Sequence, residues 1–110
     1  MIKGIGCDIV DLSRLNIDND NLALKILTAQ ELEIYKNKKT SKQKREFLGG
    51  RFAGKEAFFK AVGIERGLNS FHDIEILNDA NGRPYLNYSK SFISLAHENK
   101  YAVVYVIIEV

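Results

Sequence analysis

The chain has 110 residues, 45% of them hydrophobic and 27% charged, which is the composition of an ordinary globular protein. This length predicts a single domain over residues 1–110. The sequence has no stretch of about 18 apolar residues, which argues against a membrane-spanning helix, and the early Asp8 and Asp11 argue against a signal peptide. Its one cysteine, Cys7, cannot form an internal disulfide, so we expect a cytoplasmic protein.

The net charge of +2 hides a strongly basic segment. From Lys36 to Lys60 the chain carries nine basic residues and two acidic ones, Glu46 and Glu56. A segment of this kind is typical of an anionic partner or ligand, and it is equally typical of a solvated helix face. Composition alone leaves both alternatives open.

The first predicted element is a strand over residues 2–10. Apolar residues on both sides of Asp8 favour a central, mostly buried strand, in which a carboxylate needs a partner or a metal ion. The alternative is that Asp8 or Asp11 forms a turn or helix cap at the strand end. Cys7 points away from Asp8 by strand alternation, and we interpret it as a small core residue.

Helices are predicted next. A helical turn at 11–15 leaves Arg14 exposed, and a loop at 16–21 leads to a short helix at 22–27. Thr28 and Glu31 form a capping box for a helix that fades by residue 40. Ser41 is the predicted cap of a long helix that runs to Val62 and stops at a glycine.

Glu56 lies in that long helix, in a row with Phe52 and Lys60 at the border of its aromatic side. It has two possible roles. One is an exposed ion pair with a neighbouring lysine, Lys55 or Lys60, worth about 0.3–0.5 kcal/mol. The other is a half-buried acid that holds a metal ion or moves a proton, and Asp8 is the second acid that such a site would need.

The remaining sequence predicts strands joined by short connections. They are a loop at 64–70, a half-exposed strand at 71–77, a turn at 78–84, strands at 84–88 and 92–97, a hairpin loop at 98–100 and a strand at 101–110. The last strand is continuously apolar, which predicts burial on both faces. The fold class is therefore α+β, an antiparallel sheet with a long helix packed on it and the helices inserted after the first strand.

Four motifs occur in a fixed order along the chain. They are Gly6-Cys7-Asp8-Ile9-Val10-Asp11 with Arg14, Arg51-Phe52-Ala53-Gly54-Lys55-Glu56-Ala57 with Lys60-Ala61, Gly82-Arg83-Pro84, and Ser94-Leu95-Ala96-His97-Glu98 followed by Tyr101-Ala102. Together they resemble the bacterial holo-acyl-carrier-protein synthases of the phosphopantetheinyl transferase superfamily. The resemblance spans residues 4–108 and is specific because Gly-x-Asp and Phe-x-x-Lys-Glu-Ala occur at the family's separation. It implies the 4'-phosphopantetheinyl transferase fold as a single half-domain.

The resemblance implies a reaction. Members of the family transfer 4'-phosphopantetheine from coenzyme A to a serine of apo acyl carrier protein and release adenosine 3',5'-bisphosphate. Asp8 and Glu56 match the positions that hold Mg²⁺, and with Lys60 they match the catalytic residues. The residue types agree with this, because Mg²⁺ prefers hard oxygen ligands and keeps several waters. The acceptor of the serine proton stays open between a metal-bound water and a carboxylate.

The resemblance also implies binding residues. Those for coenzyme A are Arg51, Lys60, Arg83, Pro84 and His97. Arg14 matches an arginine that contacts the acidic helix of the carrier protein. Basic residues at the start of the long helix are further candidates for the phosphates of the nucleotide: Lys42, Lys44 and Arg45.

The chain departs from the family pattern at three places. Ala96 replaces the second serine of Ser-x-Ser-His and removes a possible hydroxyl contact. Gly63-Ile64-Glu65 replaces the usual Gly-Thr-Gly after the long helix, which alters that loop. Arg83 stands where lysine is more common, and both are cationic.

Size predicts assembly. Larger relatives carry two similar halves with the site between them, whereas a chain of this length supplies one half, and the short members of the family are homotrimers with sites at subunit boundaries.

Two rival functions are disfavoured. A nucleic-acid-binding module would expose aromatic residues among its basic residues. Asp8 and Glu56 would also repel the phosphates of the nucleic acid. An inactive scaffold would need none of Asp8, Glu56 and Lys60. We expect neither a nucleic-acid nor a membrane partner.

Overall fold

The computed structural model describes residues 1–63 and 71–110, and it has the predicted α+β fold. The predicted loop at 64–70, with the departures at Ile64 and Glu65, lies outside the described residues. In chain order the elements are β1 (Ile2–Asp11), a 3-10 turn (Leu12–Arg14), α1 (Asn21–Ile26), α2 (Ala29–Lys36), α3 (Ser41–Val62), a 3-10 turn (Phe71–Asp73), β2 (Ile76–Asn78), β3 (Pro84–Leu86), β4 (Ser91–His97) and β5 (Tyr101–Glu109).

β5 is the central strand of a three-stranded antiparallel sheet, and β1 and β4 flank it. The prediction that β1 is a central strand is therefore wrong, because one of its edges is unpaired in the described chain. β2 and β3 form a separate two-stranded sheet. Within residues 1–63 and 71–110, none of the helices combines the length and apolar character that a bilayer crossing needs.

The strand predicted at 71–77 is correct only at its end. Its first residues form a 3-10 turn because their backbone carbonyls bond to side chains and not to a neighbouring strand. The Phe71 carbonyl accepts a hydrogen bond from Lys55 Nζ at 3.1 Å, and the Asp73 carbonyl accepts one from Asn87 Nδ2 at 3.2 Å. The predicted alternation of burial persists, since Ile74 and Ile76 are both buried.

The helix ends follow the local sequence closely. Thr28 and Glu31 form the predicted capping box at the start of α2. The cap of α3 is Thr40 and not Ser41, because the Thr40 hydroxyl accepts the hydrogen bond from the Gln43 amide at 3.1 Å. Gly63 follows α3 with a φ of 60°, a backbone conformation that favours glycine.

The long helix α3 lies directly against β1. A Cβ atom added to Gly6 would lie 1.8 Å from the carbonyl oxygen of Ala57, and one added to Gly4 would lie 1.8 Å from that of Ala61. These backbone atoms cannot move aside as a flexible side chain can. Glycine at both positions therefore lets the helix approach the strand, and this contact positions the site described below.

Gly6→Ala is expected to lower the free energy of unfolding by about 1–3 kcal/mol, because the helix and strand must separate. Urea denaturation of the purified variant measures this. Gly50→Ala is the matched control, since the three atoms nearest to its Cβ all belong to the Leu95 side chain, the first at 2.7 Å, and alanine favours the helix. Equal stability of the two variants would contradict the proposed tight contact.

The two faces of the three-stranded sheet differ. Residues of β5 alternate, and Ala102, Val104, Val106 and Ile108 are buried beneath α3 while the other face is open. The prediction that β5 is buried on both faces is therefore wrong for the single chain. The exposed residues of this open face include Ile5, Cys7, Ile9, Phe92, Tyr101 and Tyr105. Cys7 is thus not a core residue, because strand alternation places it on the open side.

Candidate active site

Asp8 and Lys60 meet where β1 packs on α3. Asp8 lies opposite Val104 in the sheet register, so its side chain is on the face that the helix covers. Lys60 Nζ lies 3.1 Å from Asp8 Oδ1 and donates to the Cys7 carbonyl at 3.0 Å. The Asp8 side chain is 21% exposed and the Lys60 side chain is 55% exposed, so the pair is open to a ligand from solvent. The structure brings these two predicted catalytic residues into contact.

Glu56 lies on the same turns of α3. Its neighbour Ala57 places its carbonyl against Gly6, two residues before Asp8, and Lys60 follows Glu56 by four residues, on the same helix face. Glu56 is half-buried, as expected for an acid at the border of the packed side. Glu56 therefore lies one helical turn before Lys60 and next to the residue of α3 that contacts Gly6.

Two carboxylates at this contact fit the chemistry of a magnesium site. Mg²⁺ uses hard oxygen ligands and is usually held by one or two carboxylates, with water and phosphate oxygens completing its coordination. Residues 1–63 and 71–110 contain no group of three or more His, Cys, Asp or Glu side chains that could hold a metal. An ion at Asp8 and Glu56 would therefore depend on water and substrate for its remaining ligands, which suits partly exposed acids.

Lys55 is not part of an exposed ion pair with Glu56. Its side chain is fully buried and lies 2.6 Å from Glu31 Oε1. The ammonium also donates to the carbonyls of Ile26, at 2.7 Å, and Phe71, at 3.1 Å. Burial lowers the pKa of Lys55, and the hydrogen bond and charge of Glu31 oppose that change. All three protons of the ammonium thus have partners, and the lysine connects α1, α2 and the turn before β2.

Glu31 extends this buried network. Its Oε1 accepts a hydrogen bond from the Thr28 amide at 2.9 Å, and its Oε2 accepts one from the Ile76 amide at 2.7 Å. The sequence predicts the cap but not the contact with Ile76, which lies 45 residues away. No local pattern could have found that contact, because the two residues are in different elements.

A cavity of about 350 Å³ lies on the other side of α3 and brings together three predicted coenzyme A-binding residues. Arg51, Pro84 and His97 line it, with Leu95 and Glu46 among the other walls. His97 Nδ1 lies 3.3 Å from Glu46 Oε2, which orients the ring. Glu46 was not predicted as a site residue.

Arg51 is held firmly in the wall of this cavity. Its Nε donates to the Ile76 carbonyl at 3.1 Å, and its Nη2 donates to Asn78 Oδ1 at 2.6 Å. The guanidinium also lies 4.1 Å from the ring centroid of Phe47. Burial lowers the pKa of Arg51 to about 10, so it is still a cation at neutral pH. The sequence did not identify Asn78, which lies in a predicted turn.

Other predicted residues lie around this cavity. Arg83 is exposed between Gly82 and Pro84, which both line it. Ala96 pairs with Val103 on the open face of the sheet, whereas His97 pairs with the buried Ala102 on the helix face. The hydroxyl missing at Ala96 is therefore on the opposite side of β4 from the cavity.

The two groups of predicted residues leave α3 in opposite directions. Lys60 points to β1, and Arg51 points to β2. Nine residues along an α-helix correspond to about two and a half turns, so these side chains are on opposite sides and about 13 Å apart along the axis. Within one chain, α3 therefore lies between the Lys60 and Arg51 side chains.

Arg14 is separate from both groups. It lies in the 3-10 turn after β1, and its side chain is 86% exposed, as predicted. Its Nε lies 3.7 Å from Asp11 Oδ2, and the Asp11 side chain caps the turn by accepting from the Ser13 amide at 3.0 Å. This exposed position is suited to contact with another protein.

Comparisons with known proteins agree with the fold and the motifs. Residues 4–106 match the model of the 4'-phosphopantetheinyl transferase superfamily. The chain is 44% identical to a holo-[acyl-carrier-protein] synthase of Geobacillus sp. (99% of this chain, 98% of the relative) and 46% identical to one of Anoxybacillus flavithermus (99% and 97%).

Solved structures give the same result. The holo-(acyl-carrier-protein) synthase of Bacillus anthracis, in complex with coenzyme A (3',5'-ADP), is similar with a TM-score of 0.86 at 41% identity, covering 97% of this chain and 96% of that one. The synthase of Neisseria meningitidis has a TM-score of 0.86 at 33% identity, covering 99% of both chains. The chain therefore belongs to the holo-[acyl-carrier-protein] synthase family of phosphopantetheinyl transferases.

Proposed function

We propose that this enzyme uses magnesium to transfer 4'-phosphopantetheine from coenzyme A to a serine of apo acyl carrier protein. The serine oxygen bonds to the β-phosphorus of coenzyme A, the pyrophosphate bond breaks, and adenosine 3',5'-bisphosphate leaves. The single observation that carries this proposal is the contact of Lys60 with Asp8 where β1 packs on α3, one helical turn from Glu56. This reaction would place the enzyme in fatty acid biosynthesis in the cytoplasm.

Each residue has a distinct role in this proposal. Asp8 and Glu56 would hold Mg²⁺, which when bound supplies positive charge against the pyrophosphate oxygens. Lys60 adds a point charge beside Asp8, and we expect its ammonium, on a side chain that is 55% exposed, to contact a phosphate or the leaving group. A carboxylate of the pair, or a water beside it, takes the serine proton.

The binding site for the nucleotide end is proposed at the cavity on the opposite side of α3. Arg51 and Arg83 supply cations to the 3'-phosphate, His97 supplies a ring nitrogen, and Pro84 supplies an apolar wall. Because this cavity and the Asp8–Glu56 pair are on opposite sides of α3, we propose that each complete site combines one of these from each of two neighbouring copies.

The open face of the sheet supports the proposed homotrimer. Its apolar side chains include Ile5, Ile9, Phe92 and Tyr105, which are 60%, 63%, 56% and 53% exposed. An apolar patch with such residues is typical of a protein interface. We propose that this face packs against the other copies, with the sites at the subunit boundaries.

Asp8→Ala and Glu56→Ala are each expected to reduce the transfer rate by about a hundredfold to a thousandfold, because the pyrophosphate loses preorganised charge stabilisation. Incubation with coenzyme A, Mg²⁺ and apo acyl carrier protein, followed by mass spectrometry of the carrier, measures the added phosphopantetheine. Glu33→Ala, an exposed acid on α2, is the control and retains the wild-type rate. Wild-type rates in either site variant at saturating Mg²⁺, or no transfer by the wild type, would refute the proposal.

A further inference from the structure

A second cleft, of about 320 Å³, lies where three parts of the chain meet. The start of α3 contributes Lys42, Arg45 and Glu46, the 3-10 turn after β1 contributes Leu12 and Ser13, and the β4–β5 loop contributes Asn99 and Lys100. We call it the cationic cleft after Lys42, Arg45 and Lys100. Glu46 is the only acid that lines it among the described residues, and the proposed function uses none of its three cations.

Two walls of the cationic cleft are joined by a backbone hydrogen bond. The Leu12 amide donates to the Lys100 carbonyl at 2.7 Å, which joins the 3-10 turn to the hairpin loop. Glu46 Oε2 is turned to His97, at 3.3 Å, and Asp11 is engaged with Ser13 and Arg14. Glu46 and Asp11 therefore already have partners, and the exposed Glu98 of the β4–β5 loop lies outside the cleft lining.

Arg45 is the strongest sign of an external anion. Its Nε is buried and has no hydrogen-bond partner within residues 1–63 and 71–110. A buried donor without a partner costs about 1–3 kcal/mol, so such groups call for an explanation. A carboxylate entering the cleft would supply an acceptor.

The position of the cleft favours a protein ligand. Ser13 lines it, and the exposed Arg14 is the next residue. Beyond Arg14, the segment 15–27 offers only Lys25 as a cation against Asp18 and Asp20. Arg14 and α1 therefore cannot provide a basic surface alone, whereas the cationic cleft adds three positive charges beside Arg14.

We propose that the cationic cleft binds carboxylate side chains of acyl carrier protein and extends the carrier-binding surface from Arg14 onto α3 and the β4–β5 loop. This inference rests on the proposed function, since it specifies where that partner binds. A nucleotide phosphate is the alternative ligand. The cavity at Arg51 and His97 already provides a separate cationic site for it, and Glu46 is the one residue that lines both.

Steady-state transfer kinetics of the double variant Lys42→Glu/Lys100→Glu test this proposal. The KM for apo acyl carrier protein is expected to rise at least about tenfold and to lose much of its salt dependence, because acidic surfaces now repel each other. The KM for coenzyme A stays within about twofold, since neither Lys42 nor Lys100 lines the cavity at Arg51 and His97. Arg14→Glu serves as a reference and raises the carrier KM in the same way.

The matched control is Lys36→Glu/Lys39→Glu. It makes the same charge change at two exposed lysines of the same basic segment, outside the cleft. Equal carrier KM values for the two double variants would overturn the proposal, as would a rise in the coenzyme A KM with an unchanged carrier KM. Arg45→Gln tests the role of Arg45 independently of Lys42 and Lys100, and it is expected to raise the carrier KM severalfold. Failure of the proposed function is distinguishable, because the wild type itself would then transfer nothing.

Discussion

Lys55→Met is expected to lower the free energy of unfolding by about 3–5 kcal/mol, because it leaves the Glu31 carboxylate buried without its cation. Both side chains are 0% exposed and 2.6 Å apart, so water cannot replace the lost ammonium. The Ile26 and Phe71 carbonyls lose their donor as well. A loss of this size is a large fraction of the stability of a small domain.

Urea denaturation followed by circular dichroism measures this loss. Lys60→Met is the matched control: it makes the same substitution in the same helix at a side chain that is 55% exposed, and a change within about 0.5 kcal/mol is expected. Lys55→Met/Glu31→Gln is expected to recover part of the loss, since the charge is removed while an acceptor oxygen is kept for the Ile76 amide. Equal stability of the two single variants would show that the buried pair contributes nothing.

Lys55 also shows why the sequence predicted some features and not others. The length of α3, its end at Gly63 and the capping box of Thr28 and Glu31 all follow from neighbouring residues. The partner of Lys55 is 24 residues away, and helical spacing carries no information about such a contact. Lysine is mostly exposed in proteins, so its burial could be seen only from the three-dimensional structure.

The site also combines features that the sequence predicts with contacts that only the structure shows. Asp8, Glu56 and Lys60 come from two motifs far apart in the chain, and the motif resemblance was needed to connect them. The structure then places Lys60 on Asp8. The alternation of apolar residues gave wrong predictions of burial, because the pattern does not distinguish a core from an apolar sheet face that is exposed in the single chain. Cys7 and the outer residues of β5 were predicted to be buried for this reason, and in the single chain they face solvent.

A complementation experiment tests whether two copies share each site. One inactive variant carries Glu56→Ala, and the other carries His97→Ala/Arg83→Ala at the cavity on the opposite side of α3. After subunit exchange, a site has no lesion when it takes its carboxylate pair from the His97→Ala/Arg83→Ala chain and its cavity from the Glu56→Ala chain. In equal mixtures that exchange at random, about one quarter of the sites are of this kind, so about a quarter of the wild-type activity should return.

The geometry of α3 makes this result the expected one. Arg51, which fixes the cavity wall, and Lys60, which contacts Asp8, leave the helix on opposite sides. If each chain contained its whole site, every site in the mixture would keep a lesion and activity would not return. Mixing Glu56→Ala with Asp8→Ala is the matched control: both lesions are on the same half, so each shared site that keeps one acid lacks the other. No activity from the test mixture, or a fully active monomer at assay concentration, would exclude a site divided between copies in this way. Activity from the control mixture would show instead that Asp8 and Glu56 of one site come from different copies.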